Sequence, residues 1–141
     1  MELQQVNFSL PSYRRGFHLI THEITQEIKF LPEFTAGVLQ LFILHTSASI
    51  SINENTDSSV RLDFETHFNK LAPENQPYYL HNDEGSDDMP AHLKSSLLGC
   101  SVLVPIQDGK LKLGNWQGIY LGEHRNQAEG RNFTATLWGN R

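Results

Sequence analysis

At 141 residues the chain is about the size of one ordinary domain and long enough to close a hydrophobic core. Apolar residues at 38% and charged residues at 19% exclude a disordered chain, and no apolar run is long enough to cross a bilayer. A formal net charge of -5, with lysines and arginines scattered, argues against binding nucleic acid through its phosphates.

The N-terminus lacks the basic start and apolar stretch of a secretory signal, and the single cysteine, Cys100, excludes an internal disulfide framework. Both features fit a reducing, cytoplasmic setting. No repeat, low-complexity stretch or linker interrupts the chain, so residues 1–141 read as one domain.

In chain order, Glu2 to Leu10 alternates and predicts a strand; Pro11 breaks it, and Gly16 turns the chain into a second short strand, Phe17 to Ile20. Thr21 is placed to cap a helix through Glu27 to Leu31, with Ile24, Ile28 and Leu31 at helical spacing, and Pro32 ends it. Gly37 to Leu44 predicts a strand buried on both faces. Ser47 to Asn53 alternates, with Ala48, Ile50 and Ile52 on one face and serines on the other, a face either solvated or lining a pocket.

Asp57 suits the N-cap of a helix to about Lys70, with Val60, Phe64, Phe68 and Leu71 as its stripe and Asp63 and His67 at the core-side edge. Pro73 to Asp88 reads as a long functional or mobile loop, and Asp88 as the cap of a third helix that Gly99 terminates after Leu98. Ser101 to Ile106, the Asp108-Gly109 turn, and Leu111 to Leu113 form a hairpin. Trp116 to Leu121 is a further strand, Glu123 to Gly130 a polar loop, and Asn132 to Trp138 the last strand. Strands with a few packed helices predict an α+β fold, with a two-sheet sandwich as one form.

Seven histidines are the compositional oddity, since histidine is both a near-neutral proton carrier and a common metal ligand. His45 follows the apolar strand, where a rigid element would hold it; a bond to a backbone carbonyl is the plainer alternative. His81 lies in the long polar loop and His92 early in the third helix. Three neutral imidazoles suit an open zinc site, yet separations of 36 and 11 residues match no compact motif, and surface histidines would look the same. The acidic run Asp83, Glu84, Asp87, Asp88 lacks the ligand alternation of a calcium loop.

Asp63 either orients a histidine or acts as a base, or pairs with Arg61, His67 or Lys70. Glu54 sits in a turn where it can bond its own backbone, and Trp116 reads as core. Arg125 and Arg131 flank a loop from which they could grip a phosphate or remain solvated. Nucleotide-binding glycine loops and a serine-nucleophile elbow are absent, and Cys100 reads as packing.

Taken together, His45-Thr-Ser-Ala-Ser, Ile52-Asn-Glu-Asn, Asp63, His81 with Gly85-Ser-Asp-Asp, Pro90-Ala-His92, and Leu113-Gly-Asn-Trp-Gln-Gly resemble the YjbQ-like family, also called the secondary thiamine-phosphate synthase family. The resemblance runs from Arg15 to Arg131, departing at Asn115, where many relatives carry threonine, and in the Glu123 to Gly130 loop. It implies a homotrimeric α+β fold on a β-sandwich, with sites near subunit contacts. It also implies a low thiamine-phosphate synthase-like side activity, joining a pyrimidine pyrophosphate to a thiazole phosphate, beside another physiological substrate.

On this resemblance His45, His81 and His92 hold a divalent metal ion, with zinc favoured. Asp63, Glu54 and Glu123 are the expected catalytic groups, and Asn55, Gln117, Arg131 and Lys94 the expected contacts to a phosphorylated small molecule. Loss of pyrophosphate requires its charge to be neutralised, which an ion with Arg131 and Lys94 would do. The competing readings are a non-catalytic trimeric module that binds a ligand or metal, and a purely structural histidine cluster. No nucleic-acid or membrane partner is expected.

Overall fold

The structure is a computed structural model that describes residues 1–141. In chain order it forms β1 (Glu2–Leu10), β2 (Gly16–Leu19), α1 (Thr21–Glu27), a single 3-10 turn (Leu31–Glu33), β3 (Ala36–Ile43) and β4 (Ala48–Glu54). Then come α2 (Ser58–Leu71), α3 (Asp88–Leu98), β5 (Ser101–Gln107), β6 (Lys110–Leu111), β7 (Gln117–Glu123) and β8 (Arg131–Asn140). The strands pair antiparallel into a five-stranded sheet, β1-β8-β3-β5-β6, and a three-stranded sheet, β2-β7-β4. No helix is long and apolar enough to cross a membrane.

Period-two patterning places the core between the sheets. Leu39, Leu41 and Ile43 of β3, and Phe133, Ala135 and Leu137 of β8, share one buried cluster with Ala48 and Ile50 of β4 and Ile119 and Leu121 of β7. Ile24, Ile28, Leu31 and Phe34 join that cluster from α1 and the turn after it. The outer face of the three-stranded sheet is covered by α2 and α3, where Phe17 meets Phe64 edge-on at a centroid distance of 5.4 Å. The fold is therefore α+β, with three helices packed on antiparallel sheets.

Several expectations change in detail. β3 buries only alternate residues and leaves Phe42 exposed, because its sheet has a second layer on one side alone. The serine face of β4 is not solvated: Ser49 is fully buried beneath the helices. α1 stops at Glu27, and Thr21 does not cap it; Thr21 Oγ1 instead accepts the Ile119 N–H at 2.8 Å. Asp63, His67 and Leu71 are exposed, because α2 turns Glu65 and Asn69 inward, toward Arg15 and Lys94. Trp116 stands 65% exposed ahead of β7 rather than in the core, and Cys100 is exposed ahead of β5. Glu123 closes β7 rather than opening a solvated loop, and His124 after it is fully buried.

Candidate functional site

The acidic end of the long loop and the first turns of α3 bring His81, Asp88 and His92 together. Their donor atoms all lie within 4.8 Å of one another. Asp88 opens α3 and His92 follows one turn later on the same face, an i,i+4 pair. Asp88 does not cap the helix. Its Oδ2 lies 2.7 Å from His81 Nε2 and 3.1 Å from His92 Nε2, while Oδ1 accepts from Arg125 Nη1 at 2.6 Å. Burial pushes the Asp88 carboxyl up, but the His81 hydrogen bond and the nearby His92 and Arg125 outweigh it and hold it below the ordinary carboxylate range.

His92 is oriented from its other side. Its Nδ1 lies 2.9 Å from the Thr46 carbonyl, which can only accept, so Nδ1 carries a proton. In the neutral ring Nε2 then bears a lone pair, and that lone pair faces a carboxylate oxygen. Only a cation between them, a proton or a metal ion, makes this contact favourable.

His45 stands outside this group. Its Nε2 accepts the Asn132 N–H at 2.7 Å, so the neutral ring keeps its proton on Nδ1. Burial first, and the Arg131 charge second, lower its pKa against an opposing Glu123. His45 and His92 nonetheless border one surface cleft of about 570 Å³, with Thr46, Ser95, Ser96 and Cys100 also lining it.

The remaining sequence candidates separate. Glu123 is sealed from solvent and takes Arg131 at two points, 2.7 and 2.5 Å, while Arg131 Nη2 also reaches the Ser47 carbonyl. Lys94 is fully buried and donates to Asn69 Oδ1 at 2.6 Å; burial and Arg15 lower its pKa against Glu65, Glu74 and Asp87. Neither cation presents itself to the cleft. Asp63 lies on the exposed face of α2. Glu54 uses its carboxylate on the Thr56 and Asp57 N–H groups, the turn role open to it from sequence.

Asn55 and Gln117 adjoin each other at the far end of the small sheet. Asn55 donates to the Asn115 and Gln117 carbonyls, and Gln117 Oε1 accepts the Gly114 N–H. Gln117 and Glu123 lie at opposite ends of β7, about 20 Å apart at the usual rise per residue.

Asp88 and His124 escape the sequence reading of the site, and Arg125 enters it only as a group that could grip a phosphate. Asp88 carried a usable signal, its four-residue spacing from His92. His124 carried none, and Arg125 gave no sign of its hold on Asp87 and Asp88, because both roles depend on β7 delivering these residues beside α3. His124 is fully buried, with Nε2 2.8 Å from Ser49 Oγ and no partner for Nδ1.

The family profile described as "UPF0047 protein YjbQ-like" matches residues 6–140. The chain belongs to the YjbQ-like family. This YjbQ-like chain is 53% identical over 135 residues to the UPF0047 protein YjbQ of Salmonella typhimurium, covering 96% of this chain and 97% of that protein. It is 38% identical over 104 residues to UPF0047 protein YugU of Bacillus subtilis, covering 72% and 76%. Among solved structures it resembles a YjbQ/UPF0047 protein of Clostridium acetobutylicum at TM-score 0.82 and 32% identity, covering 94% and 99%. A YbjQ-like protein of unknown function from Sulfolobus solfataricus shares the fold at TM-score 0.85 and 23% identity, with 99% of both chains covered. These likenesses establish family and fold; they carry no thiamine-phosphate synthase activity to this YjbQ-like chain.

Proposed function

We propose that His81, Asp88 and His92 hold a divalent metal ion, and that the protein uses it on a phosphorylated or pyrophosphorylated small molecule seated in the adjoining cleft. One observation carries this reading: three donors converge within 4.8 Å, with the His92 lone pair set against a carboxylate by the Thr46 carbonyl. The residues fit such an ion. Two imidazoles and one carboxylate are a ligand set of open catalytic zinc sites, and they also suit iron. A bound ion would neutralise charge developing on a departing phosphate or pyrophosphate.

The chain's own groups then have separable tasks. His92 is oriented by Thr46, and Asp88 supplies one oxygen between the two imidazoles. His45 borders the cleft with its Nδ1 proton available, which suits hydrogen bonding or proton transfer to a bound ligand. Glu123 and Arg131 brace the Ser47 backbone beside that cleft and act on structure rather than on substrate. A thiamine-phosphate synthase-like side activity and assembly as a homotrimer belong to the same proposal.

The test is elemental analysis of tag-free protein with zinc supplied. Wild type and His45→Ala are expected to hold near-stoichiometric metal, and His81→Ala, Asp88→Asn and His92→Ala to lose it. Wild type that stays metal-free after reconstitution would sink the reading. Loss in His45→Ala alone would move the site to that residue. A second reading, a metal-binding module without catalysis, is favoured by the internal pairing of Arg131 and Lys94, which leaves the cleft without a free phosphate-binding cation. Turnover of a pyrimidine pyrophosphate with a thiazole phosphate by metal-loaded protein, lost in His92→Ala, would decide against the module.

A further inference from the structure

The cluster at the start of α3 is asymmetric about one carboxylate. Asp88 Oδ2 faces both imidazoles, whereas Oδ1 is taken by Arg125. Arg125 is itself anchored twice more: Nε donates to Asp87 Oδ2 at 2.8 Å, and Nη2 to the Glu84 carbonyl at 2.8 Å. Asp87 in turn accepts the Asn126 N–H at 2.8 Å. A planar guanidinium engaged on three different residues cannot rotate without breaking charge-assisted bonds. The arginine thereby ties the loop before α3 to the segment leaving β7.

We propose that Arg125 is a positioning residue for the ion site, an inference that rests on the metal reading above. By occupying Asp88 Oδ1 it reserves Oδ2 as the only oxygen that the carboxylate offers an ion. A carboxylate with both oxygens free can chelate and fill two coordination positions. With one oxygen held by Arg125, the chain supplies two nitrogens and one oxygen, and a position stays open for water or substrate. Arg125 touches no ligand directly; it acts through the carboxylate that does.

Arg125→Gln and Arg125→Lys in the full-length protein test this. Far-UV circular dichroism and thermal unfolding of the metal-free forms check the fold. Zinc affinity is read by competition with a chromophoric chelator, and geometry by the visible absorption of the cobalt(II)-substituted protein. Arg125→Gln is expected to lose about 10- to 100-fold in zinc affinity. Its cobalt band should weaken as Asp88 turns both oxygens to the ion and the coordination number rises. Arg125→Lys keeps the charge but not the fork, so it should recover part of the affinity and not the wild-type spectrum.

A merely structural arginine would shift unfolding while leaving the cobalt spectrum of the folded fraction unchanged, and that result overturns the proposal. Equal zinc affinity and spectrum in wild type and both variants overturns it too. Should both variants fold poorly, Asp87→Asn releases one anchor of Arg125 while keeping all three ion donors. It must then show a smaller affinity loss with the same direction of spectral change, and an unchanged spectrum counts against the proposal. Wild type without metal removes the underlying site, an outcome distinct from metal-loaded wild type with indifferent Arg125 variants.

Discussion

His124 has no solvent exposure; Ser49 Oγ meets its Nε2, and Nδ1 has no partner. Burial, reinforced by Lys94, Arg15 and Arg131, pushes its pKa from the ordinary 6.5 down to about 3. The ring is therefore neutral in the folded protein and takes up a proton on unfolding between about pH 6.5 and 3. More protons bound by the unfolded chain means stability that is complete above about pH 6.5 and falls as pH drops through that window. The slope is roughly 1 kcal/mol per pH unit. His45, also lowered, acts in the same direction, whereas the depressed Asp87 and Asp88 contribute only at more acid pH. Urea unfolding at pH 7, 6 and 5 should show falling stability in wild type and a flatter trend in His124→Gln. Parallel trends would remove His124 as the cause.

At the level of elements, α2 begins where a short side chain can satisfy its free N–H groups. Asp57 accepts the Ser59 N–H at 2.9 Å and the Ser59 hydroxyl at 2.7 Å. Asp57→Ala should destabilise the fold, read as a lowered urea midpoint with unchanged cooperativity. An unchanged midpoint would show that water caps this helix equally well. β7 shows a tighter local constraint. A Cβ at Gly122 would lie 2.3 Å from Ser49 Oγ and 2.8 Å from the His124 ring, so glycine is what lets the Ser49–His124 pair lie against the strand. α3 ends at Gly99, whose φ of +104° suits glycine and turns the chain toward β5.

For the whole molecule, the sheet layers decide which faces remain free. The five-stranded sheet packs inward on the three-stranded one, and its other face carries Leu3 at 66% exposure, Leu103 at 62% and the exposed Phe42, on three successive cross-strand rows. These exposed apolar side chains, set among Gln5, Gln40 and Thr136 on the same face, are what the proposed homotrimer would cover. Sedimentation equilibrium should then give three times the 16.1 kDa chain mass, and Leu103→Asp should lower it. A monomeric wild type would rule the trimer out.

Local patterning determined much of this protein. Alternation in Glu2–Leu10 and around Phe133, the capping Asp57, the Asp108-Gly109 turn and Gly99 each act within a few residues, and each recurs where the sequence placed it. The histidines His81 and His92 were legible as candidates from residue type, and the family from motif order. Tertiary structure alone decided which candidates meet. Antiparallel β7 delivers Arg125 to the start of α3, where it meets Asp87 and Asp88, 38 and 37 residues back along the chain. That packing turns Asp88 from a cap into the centre of the site. It also pairs Arg131 and Lys94 internally and leaves Asp63 outside. Charge pairing and burial are long-range properties, set by which surfaces exclude water together, and no window of sequence contains them.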